Sequence, residues 1–283
     1  MNILTFDIEE WFHIKFDDGF NNEHVFESMP SRIHQNMEFI FEALDSTNQK
    51  ATFFCLGWVG RKYPEIIKKI NDYGYQIGSH SDIHELATKQ SIDVFRKDVE
   101  RSTKTLEDIT GKPVTTYRSP AFSFTESNKW VFEILKEFNI EIDCSIFPAS
   151  RDFGGFSECN IHEPAFLKYN NTVIKELPLN YASLLNKRII YSGGGYFRFY
   201  PYWFLEKLYR QSNYSISYFH PRDFDPQQPK LTGLSKIRNF KGYYGLKNSK
   251  SKFNKLLQDF RFIDVEEANS IINWQNVPII ELN

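Results

Sequence analysis

Two patterns of apolar positions alternate along the first half of the chain: short continuous apolar runs and longer stretches with helical periodicity. A run of four to eight apolar residues bounded by polar or glycine positions is typical of a buried strand in a parallel sheet. The predicted strands are residues 2–7, 50–57, 76–80, 115–118 and 140–144, a late strand at 215–220 and a short closing strand at 261–265.

Apolar residues three and four positions apart predict helices between these strands. The predicted helices are 31–48 (with Ser31 as N-cap), 64–73 (closed by Gly74), about 90–110, 126–138 and 252–259. Strands that alternate with helices at this interval indicate βαβ units, so the sequence predicts an α/β fold with a parallel sheet. Residues 226–252, rich in Lys, Gly, Asn and Ser, are expected to form an exposed excursion.

The 283 residues suit one large α/β domain or two small ones, and no repeat, low-complexity tract or linker divides them. We therefore expect a single catalytic domain over residues 1–283, with a C-terminal extension at about 226–283. Three cysteines without CxxC spacing argue against a disulfide framework.

The net charge of −2 favours neither nucleic acid nor an anionic membrane as a partner. No apolar run reaches the length of a membrane span, and no charged-then-apolar leader is visible after Met1. We therefore expect a cytoplasmic protein without a membrane span. The sequence makes no prediction of oligomeric state.

Two histidines four residues apart, His80 and His84, follow the third predicted strand. On a helical turn this spacing places both rings on one face, where they can bind one metal ion. Surface histidines can show the same spacing by chance. The metal interpretation is favoured by the acidic residues that end the first predicted strand, Asp7, Glu9 and Glu10.

Residues with chemical function lie at the carboxyl ends of several predicted strands, namely Asp7, His80, Arg118 and Asp143. Parallel α/β folds build their sites at this edge. Alternation along a strand places Asp7 and Glu9 on one face. One of the two can complete a two-histidine, one-carboxylate metal site, and the other can take a proton from a metal-bound water. Capping of the following segment is an equally good interpretation of Glu10.

Five motifs in this chain occur in the same order in a known family. They are Thr5-Phe6-Asp7 followed by an acidic residue, His80-Ser81 through His84, Tyr117-Arg118-Ser119-Pro120, Asp143-Cys144-Ser145 and Phe219-His220. The chain resembles the polysaccharide deacetylases of carbohydrate esterase family 4, which contain the NodB-homology domain. The resemblance spans roughly residues 3–220 and is greatest to a bacterial branch associated with exopolysaccharide and surface-polysaccharide synthesis.

The resemblance implies a distorted, seven-stranded (β/α) barrel and a metal-dependent hydrolase. Its substrate would be an acetamido sugar of a bacterial surface polysaccharide or its precursor, from which it removes the N-acetyl group. One divalent ion, expected to be Zn²⁺, would be bound by His80, His84 and a carboxylate. The family's adjacent Asp-Asp is replaced here by Asp7-Ile8-Glu9-Glu10. Glu9 and Glu10 are therefore alternative ligands, and alternation along the strand favours Glu9.

The resemblance also implies catalytic roles. Asp7 stands at the position of the base, and Arg118 at that of the arginine which holds it. His220 matches the general acid, with Asp143 as the carboxylate that orients it. The backbone N–H of Ala121, where the family usually has tyrosine, would donate to the oxyanion. The expected substrate contacts are Glu10, Trp11, His13, Phe122 and Tyr196.

Two other functions are compatible with these residues. A catalytically altered carbohydrate-binding protein of the same fold is one, because the acidic motif differs from that of the family. A base and an acid together argue against it. The other is a related metal-dependent amide hydrolase, since ring amides and acetamides are cleaved with the same groups.

Overall fold

Short strands and longer helices alternate along the chain, as the apolar pattern predicts. A computed structural model describes residues 1–14, 20–149, 151–156, 161–184 and 187–282. The strands are β1 (Asn2–Ile8), β2 (Thr52–Cys55), β3 (Gln76–Ser79), β4 (Thr116–Tyr117), β5 (Ile142–Asp143), β6 (Ala165–Tyr169), β7 (Thr172–Glu176), β8 (Ala182–Leu184), β9 (Lys187–Ile189), β10 (Ser215–Phe219) and β11 (Ile279–Glu281). The α-helices are α1 (Glu23–Glu27), α2 (Ile33–Thr47), α3 (Gly57–Lys62), α4 (Pro64–Asp72), α5 (Ile92–Thr110), α6 (Val131–Glu137), α7 (Gly194–Phe199), α8 (Tyr202–Gln211), α9 (Lys236–Tyr243), α10 (Ser249–Asp259) and α11 (Val265–Ile271).

The chain divides into two compact units, each assembled from two separate stretches. The first unit comprises Met1–Thr52 and Tyr181–Ala268, and the second comprises Phe53–Asn180 and Asn269–Asn283. Neither unit coincides with the extension predicted at about 226–283, because that segment contributes to both.

In the first unit, β1 pairs in parallel with β10, and the last paired residues are Phe6 and Phe219. Both strands are buried almost throughout, which explains their continuous apolar character. The rings of Phe219 and Phe224 pack on Phe253 of α10, with centroids 5.0 Å and 4.8 Å away. Asp7 and His220 each follow the last paired residue of their strand, so this register places them at the same edge.

In the second unit the strand order is β2-β3-β4-β5-β7-β6-β11. The pairs β3–β4, β4–β5, β5–β7 and β6–β11 are parallel. Among the pairs described for this unit, only the β6–β7 hairpin is antiparallel. One continuous row of paired residues crosses this sheet near its carboxyl edge. The row consists of Ser79, Tyr117, Asp143 and Glu176. Residues that follow this row, such as His80 and Arg118, therefore emerge at one edge.

The prediction of an α/β fold with a mostly parallel sheet is confirmed. The predicted helices 31–48, 64–73 and 90–110 match α2, α4 and α5 to within about two residues. Strand β1 extends one residue beyond its predicted end, whereas β2, β3, β4, β5 and β10 are shorter than predicted, because the residues that flank them lie in loops rather than in paired strand. The helix predicted at 126–138 begins only at Val131.

Three local predictions are wrong. Ser31 is not the N-cap of α2: Arg32 holds that position, without a side-chain cap. The closing strand at 261–265 is reduced to an isolated bridge between Ile3 and Ile263, because α11 already begins at Val265. The segment 226–252 is not a plain excursion, since it contains α9 and the first turn of α10.

No helix in the described ranges combines the length and the apolar character that a membrane crossing requires. Cys55 and Cys144 are buried free thiols, and Cys159 lies outside the described residues.

Candidate active site

In the first unit, Asp7 and Glu9 face His220. The Nε2 atom of His220 lies 3.8 Å from Asp7 Oδ2 and 3.9 Å from Glu9 Oε1. Both carboxylates are buried, whereas the His220 side chain is 22% exposed. Asp7 and Glu9 thus lie on the same side of the chain, as alternation predicts. One partly accessible imidazole and two buried carboxylates meet at the carboxyl ends of β1 and β10.

The carboxylate that orients His220 is Asp223. Its Oδ2 atom lies 2.9 Å from His220 Nδ1 and also accepts the His220 backbone N–H at 2.9 Å. The other oxygen of Asp223 accepts from Nε of the buried Arg198 at 3.1 Å. Asp143, the partner expected from the sequence, does not occupy this position.

The charges around His220 favour its protonated form. Burial alone would lower the pKa of His220, but Asp223, followed by Glu9 and Asp7, outweighs burial and raises the pKa to about 9. Burial would likewise raise the pKa of Asp223, but Arg198, His220 and Arg222 hold it well below its ordinary value. The pair therefore consists of an imidazolium and a carboxylate at neutral pH.

Glu10 caps helix α2. Its Oε1 atom accepts from Ser31 Oγ at 2.6 Å and from the backbone N–H groups of Arg32 and Ile33 at 2.9 Å and 3.2 Å. The first N–H groups of a helix have no partners inside the helix, and the helix dipole stabilises a carboxylate placed there. Burial raises the pKa of Glu10, and these hydrogen bonds oppose the shift. Glu10 thus caps a helix more than twenty residues away, and its Oε2 atom also accepts the backbone N–H of Trp11, at the start of the segment that follows it, at 3.4 Å.

The other residues expected to contact substrate in the first unit differ in accessibility. Trp11 is buried and donates from Nε1 to the carbonyl of Pro30 at 2.9 Å. His13 is buried, and its Nδ1 accepts the Glu10 backbone N–H at 2.9 Å. Tyr196, in α7, is partly exposed. Of these three, Tyr196 is the side chain that solvent reaches.

In the second unit, His80 and His84 lie on a loop after β3, and not on a helical turn. Ser81 and His84 have φ values of +73° and +62°, which lie in the left-handed region and break any helix. The His84 backbone N–H donates to Ser81 Oγ at 3.1 Å and stabilises this turn. The loop nevertheless brings the two rings together, with centroids 5.2 Å apart.

The His80 ring is fixed by a backbone carbonyl. Its Nδ1 atom lies 2.8 Å from the carbonyl oxygen of Arg118, which can only accept a hydrogen bond. Nδ1 must therefore carry the proton, and Nε2 keeps the lone pair that a metal ion would use. His80 and His84 are both buried.

Helices α3 and α5 hold this loop. The carbonyls of Ser81 and Asp82 accept the backbone N–H groups of Gly57 and Trp58, at the start of α3. The Asp82 backbone N–H donates to Asp98 of α5 at 3.1 Å. Burial, together with the nearby Asp82 charge, raises the pKa of Asp98 to about 8. Nothing in the sequence distinguishes Asp98, because it lies within an ordinary amphipathic helix.

Arg118 is fully buried beside the end of β4. Its Nε donates to the carbonyl of Cys144 at 3.1 Å, and its guanidinium lies 4.4 Å from the centre of the Phe54 ring. Its backbone N–H donates to the carbonyl of Ser79 at 2.9 Å. The segment after β5 and Phe54 of β2 thus position the side chain, and β3 holds the backbone.

Asp143 pairs with another carboxyl group, Glu176. The two residues are register partners on β5 and β7, and both are completely buried. Asp143 Oδ1 accepts from Ser145 Oγ at 2.5 Å, and Glu176 Oε1 accepts from the Ile146 backbone N–H at 3.1 Å. Burial raises both pKa values, that of Asp143 to about 6 and that of Glu176 well above its ordinary range. We interpret the pair as a carboxylic acid that donates its proton to a carboxylate.

Ala121 lies in a short 3₁₀ turn, Pro120–Phe122, with φ of +51°. The amides of Phe122 and Ser123 donate to Ser119 and Pro120, whereas the Ala121 N–H donates to no acceptor among the residues that the structure describes. A free N–H of this kind suits an oxyanion donor. The Phe122 ring is buried against Arg118, Arg151 and Phe147.

The expected site residues are divided between the units. Asp7, Glu9, His220 and Tyr196 belong to the first unit, and His80, His84, Arg118 and Ala121 to the second. Asp223 was missed as the partner of His220, although the spacing His220-x-x-Asp223 after a strand is a capping-box pattern that points to it. Glu176 was missed because nothing in a short strand indicates which residue lies opposite on a neighbouring strand.

Two family models match this chain. Residues 9–141 match the family model described as Polysaccharide deacetylase, and residues 144–270 match a domain of unknown function, DUF3473. Asp7 precedes the first range, whereas Glu176, His220 and Asp223 fall in the second.

Two curated bacterial proteins are similar to part of the chain. A peptidoglycan-N-acetylglucosamine deacetylase of Bacillus cereus is 33% identical over 95 residues, which are 33% of this chain and 34% of that protein. The peptidoglycan-N-acetylmuramic acid deacetylase PdaA of Bacillus subtilis is 27% identical over 119 residues, which are 42% of this chain and 41% of that protein. The matched region thus covers well under two thirds of either relative.

A solved structure extends the likeness to nearly the whole chain. It is a crystal structure from Mycobacterium smegmatis described as a polysaccharide deacetylase, with a TM-score of 0.63 and 17% sequence identity. The superposition covers 98% of this chain and 91% of that one. At this identity the likeness shows the fold.

Proposed function

This chain contains a polysaccharide deacetylase domain over residues 9–141, and we propose that it is a metal-dependent N-deacetylase. Its proposed substrate is an acetamido sugar of a bacterial surface polysaccharide or its precursor. The observation that carries the proposal is the arrangement around His220. There, a histidine that Asp223 keeps protonated faces the two carboxylates Asp7 and Glu9. An acid that faces a base is the requirement for amide hydrolysis.

The proposed ligands of one divalent ion are Glu9, His80 and His84. Three features of the chain fit them to this role. The His80 Nδ1–H donates to a carbonyl, which leaves the lone pair of Nε2 for a metal ion. The rings of His80 and His84 are neighbours, and all three residues are buried. Glu10 is already engaged at the start of α2, which leaves Glu9 as the carboxylate ligand. A divalent ion, Zn²⁺ in our proposal, would supply Lewis acidity toward the amide carbonyl and make a water more acidic.

The remaining steps belong to the side chains. Asp7 would accept a proton from the attacking water, and Arg118 is proposed to keep its carboxylate ionised. The Ala121 N–H would donate to the oxygen that gains charge when water adds to the acetamide. His220 would then protonate the departing sugar amine through Nε2, while Asp223 stabilises its charged form through Nδ1. Asp143 is assigned no direct part in this step.

Release of acetate tests the proposal. The purified chain would be incubated with N-acetylated chitooligosaccharides, peptidoglycan fragments and a nucleotide-linked acetamido sugar, with chelator and then with added Zn²⁺. We expect acetate from at least one substrate, loss of activity with chelator and recovery with the ion. Asp7→Asn should bind the ion but work about 10²–10⁴-fold more slowly, as loss of a general base does. Acetate release that persists unchanged in Asp7→Asn would contradict the assigned base.

A further inference from the structure

The chain contains a strongly basic segment that its net charge conceals. Residues 226–258 contain no Asp or Glu, although the whole chain has 36 acidic and 34 basic residues. The basic residues of the segment are Lys230, Lys236, Arg238, Lys241, Lys247, Lys250, Lys252 and Lys255. A local excess of one sign indicates a charged partner, whatever the average charge of the molecule.

The same region of the first unit exposes large apolar side chains. Among the described residues, every exposed Phe or Trp lies between residues 199 and 240, and Trp203 and Ile237 are each 68% exposed. We define the aromatic patch as five exposed residues: Phe199, Trp203, Ile237, Phe240 and Tyr244. Single exposed apolar residues need no explanation, but a cluster marks an interaction site.

Four members of the aromatic patch are connected through ring contacts. Phe199 lies 6.5 Å from Phe240 and 5.8 Å from Tyr244, measured between ring centroids, and Phe240 lies 4.8 Å from Tyr244. Trp203 is connected to Phe199 through neighbouring rings of the same segment. These four aromatic side chains therefore form one cluster.

Helix α9 arranges cations around this apolar surface. Ile237 and Phe240 are three residues apart and share one face of the helix. Lys236 and Lys241 border that face on either side, because each successive residue turns by about 100°. Both lysines are exposed. The outward face of α9 is thus an apolar stripe with a positive charge on each edge.

Buried contacts hold α9 in this orientation. Arg198 donates to the carbonyl of Lys241 at 3.0 Å, and Arg222 donates to the carbonyl of Gly242 at 3.1 Å. Both arginines are almost fully buried. The exposure of the patch is therefore a property of a fixed helix and not of a loose end.

We infer that the aromatic patch and its lysines are a docking surface for a membrane that contains anionic phospholipid. Interfacial helices bind membranes through an apolar face bordered by Lys and Arg, with aromatic side chains at the headgroup level. Basic residues near such a surface add electrostatic attraction that falls off with salt. The inference concerns attachment at the surface and requires no membrane-spanning helix.

Two other occupants fit less well. A polysaccharide would stack on ring faces, but Ile237 has no ring, and the Phe199 and Phe240 planes are inclined by 73°. A second copy of the chain, docked face to face, would bring the same lysines of both copies together, because a two-fold interface pairs each patch with itself. An anionic lipid surface satisfies both the apolar and the charged parts of the patch.

Sedimentation with lipid vesicles tests the inference. The full chain would be mixed with vesicles of phosphatidylcholine alone or with added phosphatidylglycerol, at low and high salt. We expect binding to the phosphatidylglycerol vesicles, little binding to the neutral ones, and weaker binding at high salt. Trp203→Ser with Phe240→Ser, and separately Lys236→Glu with Lys241→Glu, should each weaken binding by at least about tenfold.

Matched variants of α5 and its surroundings provide the controls. Ile92→Ser with Val94→Ser removes two other exposed apolar side chains, and Lys104→Glu with Lys112→Glu reverses two other exposed charges. These pairs should bind vesicles as the unchanged chain does, and circular dichroism should show all variants folded. Absence of vesicle binding, equal binding to neutral vesicles, or equal losses in the control pairs would overturn the inference. So would lipid-independent self-association that the patch variants abolish.

Discussion

At the scale of single residues, His220 is distinguished by the carboxylates that surround it. Asp223 bonds its Nδ1, while Asp7 and Glu9 approach its Nε2. The pKa of about 9 that results keeps the imidazole protonated at neutral pH, although burial alone would lower it. A general acid works only while protonated, so the rate should fall as the pH rises through this pKa.

Asp223→Asn should therefore move the alkaline limb of the pH–rate profile to lower pH. The substitution removes the nearest negative charge, and without it the pKa of His220 falls. Asp225→Asn is the control, because Asp225 is two residues away and bonds Arg32 rather than His220. An alkaline limb that moves in Asp143→Asn but not in Asp223→Asn would restore Asp143, the residue expected from the sequence, as the partner of the acid.

The buried pair of Asp143 and Glu176 makes a second prediction at this scale. The pKa of Glu176 is raised well above 4.5 by burial and by the Asp143 charge, so the folded chain keeps a proton that the unfolded chain releases. The stability that this proton contributes is present below about pH 4.5 and is lost as the pH rises through the pKa of the folded state. Glu176→Gln should remove this dependence, because an amide donates the same hydrogen bond without titrating.

Urea unfolding at several pH values would measure the effect. Glu176→Ala should cost about 1–3 kcal/mol, because Asp143 loses its buried partner. Glu141→Gln, an exposed site one residue before β5, should change little. In infrared spectra, Asp98, whose pKa is raised to about 8, contributes a protonated carboxylic acid band to both proteins, so the unchanged chain should show an additional band of this kind that Glu176→Gln lacks. The same bands in both proteins would contradict the shared proton.

At the scale of elements, the loop from His80 to His84 depends on the helices that hold it. Gly57 begins α3 beneath this loop, and a Cβ added there would lie 2.3 Å from Asp82 Oδ1 and 3.0 Å from Ser102 Cα. Asp82 cannot move aside easily, because Arg61 and Arg101 bind its carboxylate. The packing of α3 against the loop thus requires glycine.

Gly57→Ala should destabilise the chain by about 1–3 kcal/mol, which is the usual cost of overpacking, and should weaken metal binding as the loop shifts. Thermal unfolding and metal titration by calorimetry would measure the two effects. Gly60→Ala, in the same helix, is the control, since its added Cβ would meet only side-chain ends, none nearer than 3.1 Å. If both variants bind metal as the unchanged chain does, α3 does not position the histidine loop.

Periodicity predicted the long elements well because burial of one face dictates their sequence. Helix α5, with Ser91 as its N-cap and Gly111 at its end, has both termination signals in the sequence. The loop at His80 has positive φ values at Ser81 and His84 and could not be predicted, because its partners are backbone N–H groups of α3 and the Asp98 side chain of α5, both distant in sequence. The same spacing that suggested a helical turn is also compatible with this loop.

At the scale of the whole molecule, the chemical residues are distributed over both compact units. The proposed base, acid and carboxylate ligand come from residues 1–52 and 181–268, and the two histidines of the proposed metal site come from 53–180. Strand order along the sequence indicated that these residues lie at carboxyl ends of strands. It could not identify Asp223 or Glu176, because each acquires its role through one hydrogen-bond or register partner. The net charge of the whole chain could not reveal the basic segment at 226–258 either, because acidic residues elsewhere in the chain offset its positive charge.

Metal content and acetate release, measured on the same samples, directly test whether the chain is a deacetylase that depends on an ion bound by His80 and His84. The samples are the unchanged chain, Asp7→Asn, and the double variant His80→Ala with His84→Ala. We expect the unchanged chain to bind one ion and to be active. Asp7→Asn should bind one ion with little activity, and the double variant should have neither ion nor activity. A double variant that keeps one ion per chain, or a metal-free chain that releases acetate as fast as the loaded one, would contradict this expectation.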